Sequence, residues 1–301
     1  MRKGNAIIVV LLFCTIIFSC TRSRAYESES NEFKEIANEV TIIGVPCSAY
    51  SGNDSKPKSV SLKADTGQLL IRIAYRTSYN RETRNPNWVS WVLTSEHTDG
   101  PYSRKGVPYY AEDGSVYGIG IVSASTVKNV YFLDLESEEP RQELSDWSTN
   151  YNMSHGHMCP AADNKWDKAA MNQSFLLTNM CPQDLNLNGG AWQKLEEKCR
   201  EWANKYGEIS IVAGPIFIGK PSRYLGHIAI PDSFFKVVLC LTGKPKAIGF
   251  IYENKSKKQT MDKTCCSVDY VEALTGYDFF EALDDNIEDS IESHFNYSDW
   301  E

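Results

Sequence analysis

From residue 68 onward the chain alternates short apolar runs with polar, glycine- or asparagine-rich breaks. "QLLIRIAYRTSYN" (68–80), "NWVSWVLTSE" (87–96), "VYGIGIVSAS" (116–125) and "NVYFLDLE" (129–136) are β-branched and aromatic, and predict strands or extended segments. "ISIVAGPIFIG" (209–219), "HIAIPDSFFKVVLCL" (227–241) and "AIGFIYEN" (247–254) predict more strands in the second half. Between the two groups lies the clearest helix, "GGAWQKLEEKCREWANKYG" (189–207). It sets Trp192, Leu195, Cys199, Trp202 and Tyr206 three or four apart and stops at Gly207. A last helix is predicted in "SVDYVEALTGYDFFEAL" (267–283), followed by an acidic stretch. Strands and helices mix without a βαβα rhythm and without an internal repeat, so the expected class is α+β.

The N-terminus has a different texture. Arg2 and Lys3 precede an apolar run of about thirteen residues, Ala6 to Phe18, too short for a comfortable membrane span and the right size for a signal-peptide core. It ends in Ser19 and Cys20, which resembles a bacterial lipoprotein signal with Cys20 as the lipidated first residue. The expected organisation is a signal peptide (1–19), a polar tether (20–39), an N-terminal extension (40–67), the main domain (68–295) and a short tail (296–301). The implied location is the cell envelope, on the periplasmic or cell-surface side. Hydrophobic residues make up 42% of the chain and seven are tryptophan, which argues for a packed body.

A net charge of −8 disfavours a polyanionic partner at face value. Much of it sits in "ESESNEFKE" (27–35) and "EALDDNIEDSIESHF" (281–295), which read as solvated surface, so nucleic acid is not excluded. Beyond Cys14 and Cys20 the cysteines are Cys47, Cys159, Cys181, Cys199, Cys240, Cys265 and Cys266. No CxxC pair exists, which argues against a zinc ribbon. Their odd number leaves at least one unpaired, and Cys159 and Cys181 could pair with each other or stand as separate buried thiols.

The candidate chemistry begins at "SHGHMCPAAD" (154–163). His155 and His157 alternate onto one face of a predicted strand end, with Gly156 between them. About twenty residues on, "LLTNMCPQDLNLNGGAWQKLE" (176–196) runs through an asparagine- and glycine-rich loop into the helix. Asn188 sits just before that helix and Glu196 on its second turn. On an ideal helix eight residues separate two side chains by roughly 12 Å. A hard cation such as Mg²⁺ needs only one or two protein oxygens and keeps its waters. Asn188 therefore suits a direct ligand and Glu196 a holder of metal-bound water.

These residues carry a resemblance. Gly156 and His157 match the end of a D-R-G-H motif. Asn179, Pro182, Gln183, Leu187, Asn188, Gly190, Trp192, Leu195 and Glu196 match an N-x-x-P-Q…L-N-x-G-x-W-x-x-L-E pattern with its spacing intact. The chain thus resembles the DNA/RNA non-specific endonucleases of the ββα-metal superfamily over roughly residues 70–290. The likeness implies a central, mostly antiparallel sheet flanked by helices and Mg²⁺-dependent hydrolysis of DNA and RNA, with Mn²⁺ able to replace Mg²⁺. It implies His157 as general base, Asn188 as metal ligand, Glu196 acting through water, and Arg104 neutralising the phosphate, with Arg84 the lesser candidate. Gly156 would leave room for the phosphate. Family members often dimerise, which adds a homodimer to the expectations.

Ser154 and His155 stand where the family has aspartate and arginine. A protonated His155 would be a weaker, pH-dependent phosphate donor, so activity is expected to fall at alkaline pH relative to an arginine-bearing relative. Two other functions compete with the nuclease. One is a weakly active or inactive lipoprotein of this fold that binds nucleic acid; the other is a zinc or copper site built from His155, His157 and Cys159. Lys165, Lys168, Lys220, Arg223 and Lys236 would line a phosphate groove or decorate a scattered basic surface.

Overall fold

The computed structural model describes residues 67–104, 108–110, 116–119, 131–148 and 153–301. The signal, tether, Cys20 and most of the N-terminal extension lie outside the described residues.

Seven strands form one antiparallel sheet, and smaller two-stranded sheets surround it. In chain order the strands are β1 (Gln68–Ile71), β2 (Arg76–Asn80), β3 (Asn85–Thr94), β4 (Pro108–Tyr110), β5 (Val116–Ile119), β6 (Met153–His157) and β7 (Met180–Asp184). Then come β8 (Glu208–Ile216), β9 (Tyr224–Leu225), β10 (Ile228–Ala229), β11 (Ser233–Cys240), β12 (Lys246–Glu253) and β13 (Cys265–Cys266). The helices are α1 (Lys168–Gln173), α2 (Gln193–Tyr206), α3 (Met261–Thr264), α4 (Val268–Thr275) and α5 (Asp285–Glu292). The large sheet runs β1-β2-β3-β8-β11-β12-β13.

Both faces of its centre are covered, which is why β8 and β11 read as nearly unbroken apolar runs. Along β11 the period of two sends Phe234 and Val238 to one face and Phe235, Val237's partner on that side, to the other. The first face packs against Trp192, Leu195, Cys199 and Trp202, the stripe predicted on α2. The second packs against Val268 and Val271 of α4, Phe279, Phe280 and Ile291 of α5. The molecule is thus α+β, with two cores back to back across one antiparallel sheet.

Two of the predicted segments are made specific and one needs correction. "QLLIRIAYRTSYN" is a hairpin of two strands, Gln68 opposite Tyr79 and Ile71 opposite Arg76. The described part of "NVYFLDLE" is an extended segment with an isolated bridge, Phe132 to Leu176. The helix over 267–283 stops at Thr275, because Gly276 takes the left-handed conformation (φ 75°) that closes a helix end.

The acidic stretch is not merely solvated: its helix α5 buries Ile291 and Glu292. Residues 296–301, expected as a tail, belong to the domain. Trp300 is 1% exposed, with its ring 4.7 Å from that of Trp202 and edge-on to Tyr206. A buried side chain of that size, also covered by the Lys246 ammonium 4.8 Å from its ring centre, anchors the chain end to α2.

Candidate active site

β6 and β7 pair antiparallel, His157 opposite Met180 and His155 opposite Pro182, and the chain then turns directly into a helix. Asp184 caps that helix: its Oδ1 accepts from the backbone N–H groups of Asn186 (2.9 Å) and Leu187 (3.1 Å), and Ser256 Oγ donates to both of its carboxylate oxygens. Asn188 stands four residues past that cap. It lies inside a π-helical turn, Leu187–Trp192, that leads into α2. One extra residue per turn is an unfavourable local geometry, kept mostly where function requires it. The Trp192 indole N–H donates to the His157 carbonyl (3.3 Å) and fastens the helix to β6. Asn179 completes the frame, accepting from the Cys159 N–H and donating to the carbonyls of Cys159 and Ser174.

Arg104, His155, His157, Asn188 and Glu196 all line one cleft of about 710 Å³, together with Lys165 and Arg200. His157 is buried at its wall. Phe175 meets its ring edge-on at 5.2 Å, and its Nε2 has no hydrogen-bond partner among the described residues. An unsatisfied buried nitrogen is costly and marks a group held ready for something else. Burial first, then Arg104 and His155, hold the imidazole down at about 3, so it is neutral at physiological pH. The Arg104 guanidinium stands 5.0 Å from the Phe175 ring centre.

Gly156 is corrected as a substrate residue. A Cβ there would fall 2.5 Å from Gln183 Oε1 and 2.6 Å from Gln183 Cβ, so the missing side chain accommodates Gln183 of β7. Gly156 is not among the residues lining the cleft. Arg84 is likewise elsewhere, donating to the Arg141 carbonyl (2.9 Å) and reaching Asp146.

His155 also differs from expectation. It is sandwiched between the rings of Tyr131 and Trp147, each centred 3.7 Å away and nearly parallel (6° and 16°). Burial and Arg104 hold it down at about 3, which disfavours a protonated phosphate donor in the free protein. The pH–rate profile between pH 5 and 9 is therefore expected to be the same, within about 0.3 unit, for wild type and His155→Gln. A lost or displaced limb in the variant would overturn the neutral assignment.

Sequence reasoning missed Tyr131 and Trp147, because they come from an irregular segment with no periodicity. That segment is clamped to the domain. Arg72 Nη2 donates to both oxygens of buried Asp134, Thr178 donates to the same carboxylate, and Gln142 Nε2 donates to the Met180 carbonyl at 2.8 Å.

Under the cleft floor lies a second missed feature. Lys236, expected in a phosphate groove or on a scattered basic surface, is 0% exposed, and its ammonium has no hydrogen-bond partner among the described residues. It sits 4.4 Å from the centre of the Trp192 ring and 5.4 Å from that of Trp91. Its charge faces two acids. Asp163 is bound by Arg200 Nη1 (2.9 Å) and the Trp91 indole (3.1 Å). Glu196 is pushed up to about 7 by burial, against the pull of Lys236 and Arg200.

The donor set decides which ion fits. One amide oxygen and one carboxylate suit a hard cation that retains its waters. Glu196, raised by burial, has its charged form restored by a cation beside it. No zinc or copper centre is formed by His155, His157 and Cys159, which are not among the groups of His, Cys, Asp or Glu that converge among the described residues. His155 is clasped between rings, and burial pushes the Cys159 thiol well above its usual range. The six described cysteines are all free, so Cys159 and Cys181 are separate buried thiols.

Two antiparallel strands and a helix around a cleft of this composition define a ββα-metal nuclease fold. The chain is similar to a solved structure, the crystal structure of the EndoG/EndoGI complex, with a TM-score of 0.55 and 18% identity over 78% of this chain and 95% of that one. Residues 53–286 match the model of the DNA/RNA non-specific endonucleases, a family of hydrolases, and the chain belongs to that family. The match begins inside the expected N-terminal extension. Among curated relatives, "Nuclease 1, mitochondrial" of Schizosaccharomyces pombe is 28% identical over 69% of this chain, which spans 64% of that protein's length. "Nuclease" of Nostoc sp. is 29% identical over 80% of this chain and 83% of its own length. "Nuclease C1" of Cunninghamella echinulata is 29% identical over 72% of this chain and 84% of its own.

Proposed function

We propose that the protein is a Mg²⁺-dependent endonuclease that hydrolyses phosphodiester bonds of DNA and RNA with little sequence specificity. The observation that carries this reading is the meeting of His157, Asn188, Glu196 and Arg104 in one cleft. His157, neutral and with an unengaged Nε2, takes the proton of the attacking water. Arg104 faces the scissile phosphate and offsets its charge. Asn188 would hold the ion directly and Glu196 through a water, and Mn²⁺ suits the same oxygen donors. A bound Mg²⁺ would stabilise the charge that builds on the phosphate and the leaving oxygen.

The neutral His155 favours a second reading, a protein of this fold that binds nucleic acid with little turnover, since the protonated phosphate donor expected at that position is disfavoured in the free protein. The lipoprotein-like N-terminus supports an exported protein tethered through Cys20, and the family likeness supports a homodimer. Nicking of supercoiled plasmid and hydrolysis of RNA in Mg²⁺, both abolished by chelator, are the expected results. Binding without cleavage would select the second reading.

A further inference from the structure

The sheet face opposite the cleft carries a group of acids that the nuclease chemistry does not use. Asp269 and Glu272 lie three residues apart on one face of α4, and Glu292 ends α5. One carboxylate oxygen from each lies within 4.8 Å of the other two. Glu272 is 8% exposed and Glu292 5%, and both helices are fixed by Val268, Val271 and Ile291 in the second core.

Among the described residues only His294, when protonated, offsets this charge, through space at Asp269. None of the three acids forms an ion pair among the described residues, and the chain has no lysine or arginine after Lys263. Glu272 accepts one hydrogen bond, from the Phe279 N–H at 2.7 Å. Glu292 Oε1 is buried with no hydrogen-bond partner among the described residues, a second sign that the group faces a ligand the polypeptide does not supply. Neighbouring Glu288 also has a buried Oε1 without a partner.

We propose that Asp269, Glu272 and Glu292 form a Ca²⁺ site that ties α4 to α5 and stabilises the back of the sheet. Ca²⁺ binds oxygens at about 2.3–2.6 Å, so ligands of one ion lie no more than about 5 Å apart, and one oxygen from each of the three acids meets that limit. Mg²⁺ needs about 2.0–2.1 Å and a tighter cage. Three carboxylates with the remaining positions open to solvent at half-buried Asp269 give a low-coordination, extracellular-type site. The alternative is that the acids share protons: without a cation, burial and the neighbouring carboxylates push Glu292 up to about 10 and Glu272 to about 8.

Thermal unfolding of the full chain separates these cases. Using Asn188→Ala as the background removes the cleft's direct metal ligand, and the readout does not depend on whether the protein cleaves nucleic acid. In that background 5 mM Ca²⁺ is expected to raise Tm by about 2–6 °C, and adding Glu292→Gln is expected to remove the rise. No rise, or an equal rise with Glu292→Gln, would overturn the site. Should Glu292→Gln fail to fold, Asp269→Asn at the rim is expected to weaken Ca²⁺-competed Tb³⁺ luminescence at least about tenfold. Unchanged Tb³⁺ affinity in that variant would overturn the site equally.

Discussion

Replacing His157 with alanine is expected to slow plasmid nicking by about 10²–10⁴-fold, the usual range for a general base, with little change in KM. The expectation rests on placement. The residue closes β6, its carbonyl is held by Trp192, its ring packs edge-on with Phe175, and its Nε2 has no hydrogen-bond partner among the described residues. Because burial, Arg104 and His155 hold it near 3, the base is unprotonated throughout the neutral range. So acid an imidazolium corresponds to a feeble base. A phosphate seated against Arg104 cancels the nearest positive charge and raises the histidine toward its ordinary value as substrate arrives. The acid limb of kcat/KM should therefore not report free His157.

The same shift predicts a stability effect. His157 has a folded value of about 3 against an ordinary 6.5, so the unfolded chain takes up the proton first as pH falls. Its contribution is fully present above about pH 6.5 and is lost progressively toward pH 3. His157→Ala should lose less stability than wild type across that window, measured by urea unfolding. Nicking that survives both His157→Ala and chelation would remove the nuclease reading altogether.

The half of the cleft proposed to be catalytic was legible because its residues are local in sequence. His157 ends one strand, Asn188 and Glu196 sit on one turn-and-helix, and the spacing of Leu187, Trp192 and Leu195 identifies the buried side of that helix. The unread half is tertiary. Tyr131 and Trp147 reach His155 from a segment whose position depends on Arg72 and Thr178 gripping Asp134, contacts between residues far apart in the chain. Gly156 was read as space for a ligand, but its neighbour is Gln183 on the paired strand, and only the register shows this.

Lys236 was within reach of the sequence. With Phe234 and Val238 two residues to either side, alternation already placed it on a covered face. Its charge disguised it as surface. Trp300 escaped notice for the opposite reason, since a single tryptophan near a chain end carries no period.

Lys236→Met is expected to destabilise the protein by about 1–3 kcal/mol at pH 8, because the buried acids lose a positive charge that acts on them through space. Methionine is close to lysine in length and keeps contact with Trp91 and Trp192, so packing is largely preserved. What disappears is the positive charge that steadies Glu196 and Asp163, leaving Arg200 alone beside them. Both acids are raised by burial, Glu196 to about 7. A carboxyl with a raised folded value holds its proton when the unfolded chain has lost it, so wild-type stability from Glu196 falls as pH rises from about 4.5 to about 7. Losing Lys236 steepens that fall, because the ionised form then costs more. The penalty of Lys236→Met should therefore be largest at pH 8 and shrink by half or more at pH 5, where a protonated Glu196 needs no counter-charge. Added Mg²⁺ should reduce the penalty at pH 8 if the cation stands beside the same carboxylate. A penalty equal at both pH values would show that Lys236 fills space and does not balance charge.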